Sequence, residues 1–419
     1  MPTVVCKYGG SSLATTAQVR TAAGRVAQIR RTGNNTVVIV SARGHTTDDL
    51  LKQAHEVDGA EPSRELDQLL ATGECASAAL FALAVRALGV PAVSLSGPQA
   101  GVCAAGRPGA GRLAAVRPGR VRRLLAEGNV VVVAGFQGLA ATGEVITLGR
   151  GGSDTTAVAL AAALGAGRCD IYTDVDAVRS ADPRVAGDTR PLPEIDMVTM
   201  AELAVAGARV LHPPAVALAA RYGVELGVGH AASGRVGSVV RVGDLEGADA
   251  RVVAVAHDLD VARVLVQAAP GAARDPRGAV LDVLAQHAVA VDFVSHSGPD
   301  RPVFRMGFAV RRSDLHAVRE PLVRAVAALD GQVAVDTDVG TVSLVSSGPL
   351  YPPDWPLRAT AALSAAGIRP SWIAVSPRRV SVGTALDRVP DAVRLLHHEF
   401  RLGRPTGADR PTGTVAVRS

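Results

Sequence analysis

Thr147-Leu148-Gly149-Arg150-Gly151-Gly152-Ser153-Asp154-Thr155-Thr156 is the most informative stretch of this chain. Its glycines let the backbone approach a ligand closely, and the Ala- and Leu-rich run from Ser153 to Leu164 predicts a helix buried nearly all round. A glycine-rich loop opening such a helix presents amides to an anion, and Arg150 can grip a carboxylate in bidentate fashion. Read alone, the same residues also suit a generic turn.

Two further segments gain meaning beside it. Lys7-Tyr8-Gly9-Gly10-Ser11-Ser12 ends the first predicted strand, placing a lysine and several amides at the carboxyl edge of a sheet, where open α/β sheets bind ligands. The GxxxxGK[ST] order of a P-loop is absent. Ile171-Tyr172-Thr173-Asp174-Val175-Asp176, followed by Ala181-Asp182-Pro183-Arg184, reads as a strand ending in acidic and hydroxyl groups with an arginine able to reach a phosphate. A surface lysine and a plain Asp-Pro turn are the blander readings.

Composition narrows the class. Hydrophobic residues make up 48% and charged residues 20% of 419, which suits packed globular domains, two or three of them by length. The longest apolar runs, Val130–Ala134 and Ala157–Leu164, fall short of the ~18 residues of a spanning helix, so no membrane association and a cytoplasmic protein are expected. Cys6, Cys75, Cys103 and Cys169 are widely spaced, which indicates neither a disulfide framework nor a metal cluster. The net charge of +5 is scattered and aromatics are only 3%, so phosphate-bearing small molecules are expected rather than nucleic acid. Lys7 and Lys52 are the only lysines.

The fold class expected is α/β: a three-layer αβα domain with a mostly parallel sheet, followed by two ferredoxin-like βαββαβ modules. Strands are predicted at 3–7, 36–40, 92–96, 129–134 and 170–173, with helices at 17–31, 75–88 and 153–164. From about 250 the pattern becomes strand, helix, strand, strand, helix, strand, twice over. Domains are placed at 1–245, 250–332 and 333–403, with a disordered tail at 404–419.

The three segments in this order, with Thr46-Thr47-Asp48, Leu70-Ala71-Thr72-Gly73-Glu74, Val133 to Gly138 and Val210-Leu211-His212-Pro213, resemble aspartokinases. These are members of the amino-acid kinase family with a C-terminal pair of ACT modules, here of the single-chain type of high-GC Gram-positive bacteria. The resemblance implies ATP-dependent phosphorylation of the side-chain carboxylate of L-aspartate to 4-phospho-L-aspartate. By it, Lys7 neutralises the transferring phosphoryl group, Asp154 orients the lysine, and Gly9, Gly10 and Ser12 line the phosphates. Arg150, with Gly151 and Ser153, takes the substrate α-carboxylate, Glu74 the α-ammonium, and Ser41 and Thr47 frame the side chain. Thr173, Asp174, Asp182, Arg184 and Arg209 match the nucleotide segment. ATP would bring Mg²⁺ held largely by its own phosphates and water, with no protein metal site, and a homodimer or higher homo-oligomer is expected.

Departures from the family pattern leave alternatives open. Arg43 and His45 replace a methionine and an aspartate, which could favour a more acidic substrate such as a substituted aspartate. Ala177 replaces a glycine, Arg179 a tyrosine and Arg209 a lysine, which could weaken ATP binding. In the ACT modules His296-Ser297, Arg305, Val375-Ser376-Pro377 and the 349–356 segment depart from the effector-binding pattern, so altered or lost lysine and threonine feedback is expected. A non-catalytic amino-acid sensor is the rival from another class.

Overall fold

The computed structural model describes residues 1–59, 61–243, 251–268, 275–287, 289–291, 293–297, 303–349 and 354–403. The expected tail from 404, the link near 244–250 and Leu350–Pro353 lie outside them. Two compact units result, Met1–Val178 with Pro191–Ala248, and Arg179–Arg190 with Asp249–Ser419.

The first unit is built on an eight-stranded sheet. Its strands run in the order Glu194–Asp196, Val236–Arg241, Glu225–His230, Arg168–Thr173, Thr3–Tyr8, Asn35–Val40, Val130–Ala134, Ala92–Leu95. All neighbours are parallel except Glu225–His230 with Val236–Arg241. Continuous Val and Ile runs make the central strands, because a parallel sheet is covered on both faces. On one face Cys6, Tyr8, Val38, Val40, Val130 and Val132 pack against helices Thr16–Arg31 and Arg64–Arg86. Helix Gly152–Leu164 covers the other face and packs on helix Pro213–Tyr222. The three layers follow.

Helix Arg64–Arg86 starts eleven residues before the expected Cys75, with Ser63 accepting from Leu66 N as its cap. The charged opening Arg64-Glu65-Leu66-Asp67 hides the apolar period there. It is also the one helix among the described residues long and apolar enough to cross a membrane by composition, which the sequence reading had set aside. Its interior face carries Asp67, Glu74 and Phe81 into the unit, marking it as a core helix. A four-stranded sheet, Ala110–Val116, Val102–Arg107, Gln137–Leu139, Val145–Thr147, was not expected, since its Ala and Gly content carries little strand propensity.

The second unit holds two four-stranded sheets, each with the expected helices. One orders Val294–His296, Phe304–Arg311, Val261–Ala268, Gln332–Asp336; the other Val252–Asp258, Val339–Ser346, Arg379–Ala385, Trp372–Ser376. The expected boundary at 332/333 is therefore displaced. Val252–Asp258 joins the second sheet, and Gln332–Asp336 stays with the first. The reason lies in two short links. A two-residue hairpin needs positive φ, but Leu259-Asp260 and Thr337-Asp338 have none. Each link instead folds as an Asx-turn, Asp260 N donating to Asp258 Oδ1 (2.9 Å) and Asp338 N to Asp336 Oδ1 (3.0 Å), so the chain passes between sheets at both points.

Candidate active site

Parallel strands deliver their following loops to one edge of the sheet. Gly9–Leu13 follows Thr3–Tyr8, Ser41–His45 follows Asn35–Val40, and Asp174 follows Arg168–Thr173. Lys7 alternates onto the face covered by helix Gly152–Leu164, and its Nζ lies 2.6 Å from Asp154 Oδ1, each side chain only 11% exposed. Asp154 sits in the first turn of that helix, where a negative charge is favoured. Gly9 N donates to Tyr172 O (3.1 Å) and Ser12 N to Gly9 O (3.1 Å), curling the chain over the lysine. Gly10 is sterically required: a Cβ there would stand 2.5 Å from Ala42 O.

Glu74 is 3% exposed, with Oε1 accepting from Ala42 N (3.0 Å) and Oε2 buried without a partner. Burial pushes its carboxyl up to about 7, outweighing the lowering by the Ala42 amide. Ser41 is half-buried, its N–H donating to Tyr8 O (3.2 Å), and Thr47 is half-buried in the first turn of helix Thr46–Asp58. Arg150 is exposed between Gly149 and Gly151, both at φ 67°, and among the described residues its guanidinium has no partner. The imidazole of His212 lies against Gly151, where a Cβ would come within 2.0 Å of its Cγ. Likewise Gly135 makes room for Ser153, whose Cβ would be 2.7 Å from a side chain there.

A cavity of about 210 Å³ is lined by Ser11, Ser12, Gln18, Thr173, Asp174 and His230 among others. The Ser12 hydroxyl is buried without a partner, and Thr173 Oγ1 donates to Asp174 Oδ1 (2.8 Å). Arg209 is exposed in the turn before His212. Asp182 and Arg184 belong to the second unit, where the Arg184 guanidinium clasps the Asp182 carboxylate at 2.7 to 3.2 Å and holds its carboxyl below the usual range. Arg179, also in that unit, donates to Thr189 Oγ1 (3.0 Å) and Thr189 O (3.1 Å). Ala177 keeps negative φ, so losing a glycine there strains nothing.

The two unusual residues of the substrate loop differ in what they contact. Arg43 is spent on the carbonyls of Leu13 (2.8 Å) and Ala14 (3.0 Å), and the His45 side chain is 89% exposed beside Asp48. Sequence reasoning missed the packing of His212 on Gly151, the strained Phe136 at φ 68°, and the buried Asp67. An acid on the apolar face of a helix was the available signal for the last. Among the described residues, no group of three or more His, Cys, Asp or Glu side chains is disposed to hold a metal.

Residues 2–230 match the model of the amino acid kinase family. The chain is 39% identical over 409 residues to an aspartokinase of Thermus thermophilus, covering 96% of this chain and all of that one. It is 40% identical over 417 residues to an aspartokinase of Mycolicibacterium smegmatis, covering 96% and 97%. Among solved structures, E. coli aspartokinase III in complex with aspartate and ADP superposes with a TM-score of 0.83 over 95% of this chain and all of that one, at 23% identity, a likeness of fold.

Glu74 carries a testable consequence. Between its ordinary 4.5 and about 7 the folded chain holds a proton that the unfolded chain releases, so this residue's contribution to stability falls as pH rises through that window. Glu74→Gln should therefore match the wild type near pH 4.5 and exceed it above pH 7, by up to about 3 kcal/mol in chemical denaturation. Equal stability at both pH values would contradict the burial argument.

Proposed function

Because the chain belongs to the amino acid kinase family, and within it to the aspartokinases, we propose that it transfers the γ-phosphoryl group of ATP to the side-chain carboxylate of L-aspartate. The observation that carries this reading is the Lys7–Asp154 pair, a cation fixed at 2.6 Å from its partner where the sheet's loops converge. A carboxylate oxygen attacks the γ-phosphorus, the bond to the β,γ-bridging oxygen breaks, and ADP leaves with that electron pair. The product is the acyl phosphate 4-phospho-L-aspartate. No general base is needed, because an aspartate side chain is already ionised at pH 7. Positioning and electrostatics supply the catalysis.

Lys7 would offset charge on the transferring phosphoryl group, with Asp154 fixing its ammonium. Gly9, Gly10 and the Ser12 hydroxyl would line the phosphates, and Thr173 and Asp174 would meet the rest of the nucleotide. Arg209, Asp182 and Arg184 are assigned to nucleotide by resemblance alone. The unpartnered Arg150 suits the substrate α-carboxylate, beside Gly151 and Ser153, while the free oxygen of Glu74 suits the α-ammonium, with Ser41 and Thr47 framing the side chain. A bound α-ammonium would favour the ionised form of Glu74, and that carboxylate together with the Arg150 guanidinium would select a zwitterion.

Mg²⁺ keeps much of its water and takes one or two carboxylates besides phosphate oxygens, and the Asp174 carboxylate and the buried, unpartnered Ser12 hydroxyl, which both line the cavity, would suit that donor set. When bound, it supplies further neutralisation of phosphate charge.

Met1 to about 245, apart from Arg179–Arg190 that pack in the second unit, is read as the catalytic domain, and the two sheets of the second unit as regulatory ACT modules. Their exposed edge strands, Val294–His296 and Trp372–Ser376, suit pairing in a homodimer or higher homo-oligomer, and the protein is read as cytoplasmic. His296, Arg305 and Val375, all exposed, depart from the family's effector-binding pattern, and that departure is the support for altered or lost feedback. The substituted-aspartate alternative loses its support, since Arg43 is engaged elsewhere. A sensor without turnover would have no use for Lys7 at the phosphate side.

Hydroxylamine trapping with ATP, Mg²⁺ and aspartate should yield hydroxamate, and Lys7→Ala should lower kcat by about a thousandfold or more. Nucleotide and aspartate binding without hydroxamate from the wild type would favour the sensor. In the same assay, millimolar lysine plus threonine should reduce the rate by less than about twofold; strong inhibition would restore ordinary feedback.

A further inference from the structure

Asp67 is a carboxylate in the wrong place for a helix in a soluble core. It is 1% exposed on the interior face of Arg64–Arg86 and belongs to none of the recognition elements above. A buried charge persists only where donors surround it. Here Thr147 Oγ1 donates to Oδ1 (2.6 Å), Thr147 N to Oδ2 (3.1 Å), and Gly109 N to both oxygens (3.2 Å). Thr147 is itself 3% exposed, and it is the last residue before the Leu148-Gly149-Arg150-Gly151 loop.

The same helix face carries a second anchor. Seven residues on, two turns and about 10.5 Å along the axis, Glu74 holds the Ser41–His45 loop through Ala42 N. Between them Ala71 O accepts from Gln137 Nε2 (3.0 Å), on the strand paired with Val145–Thr147. One rigid helix thus fixes the start of the loop bearing Arg150 and itself bears Glu74. Those are the two charges assigned to the α-carboxylate and the α-ammonium.

We infer that Asp67 is a positioning residue for aspartate recognition, setting the Arg150 loop at a fixed distance from Glu74. The inference rests on the proposed roles of those two residues. Strand pairing of Thr147 with Gln137 and the bond from Leu148 N to Phe136 O tie the loop's entry to the small sheet, and the Asp67–Thr147 clasp ties that entry to the helix that bears Glu74. The clasp tolerates the amide of Asp67→Asn so long as Thr147 keeps its hydroxyl, and it does not tolerate loss of the acceptor. In Asp67→Asn the Thr147 hydroxyl can turn to accept from the new amide, while the amide oxygen still accepts from Thr147 N. In Asp67→Asn/Thr147→Val that amide has no acceptor, and in Asp67→Ala the backbone donors lose theirs.

Steady-state kinetics of the full chain test this. Asp67→Ala and Asp67→Asn/Thr147→Val should each raise KM for aspartate by about tenfold or more, with KM for ATP within about twofold of wild type, while Asp67→Asn alone stays near wild type. A double-mutant cycle with Arg150→Ala should be non-additive for aspartate KM. A purely structural role would lower thermal stability and active fraction but leave aspartate KM unmoved, and that result would overturn the inference, as would an equal rise in both KM values. Should Asp67→Ala fail to fold, the volume-matched double variant decides. Absence of hydroxamate from the wild type would instead sink the functional reading beneath it.

Discussion

An ammonium group will stay at a nearly dry sheet edge only if a fixed counter-charge meets it, and the contact of Lys7 with Asp154 is the constraint around which the first unit is arranged. It demands that strand Thr3–Tyr8 turn Lys7 toward helix Gly152–Leu164 and that this helix begin close to the sheet. The close approaches follow from that demand. Gly135 gives way to Ser153, and Gly151 gives way to His212. Phe136 accepts a left-handed backbone so that its carbonyl can receive Leu148 N at 2.7 Å.

Much of this was legible in the sequence because the signals were local. Valine runs gave the central strands, and the glycine-rich loop opening an alanine-rich helix marked the edge where ligands would meet backbone amides. Lys7, Glu74, Arg150 and Asp154 were named on resemblance, and the structure brings Lys7 and Asp154 into contact and exposes Arg150 on its loop. What stayed hidden depended on long-range partners. Nothing in Arg43 itself says that it binds Leu13 and Ala14 rather than a substrate, nor does Asp67 announce donors from Gly109 and Thr147.

The second unit shows the same limit at the level of topology. Its strands and helices are where periodicity puts them, yet a linear reading divides them between modules at the wrong strand. Direction at a two-residue link depends on φ, and the Asx-turns at Asp258 and Asp336 carry the chain from one sheet to the other. Phe293 stacking on Trp372 at 5.3 Å, with Val261, Ala309 and Val339 in one cluster, then joins elements of both sheets.

The claim on which everything else stands is that a carboxylate oxygen of aspartate attacks phosphorus. Aspartate labelled with ¹⁸O in its side-chain carboxylate tests it directly: after turnover with ATP and cleavage of the acyl phosphate by hydroxylamine at carbon, the released phosphate should carry one labelled oxygen. Unlabelled phosphate formed alongside ADP would mean that water is the nucleophile, and the account given for Lys7 and Asp154 would fail.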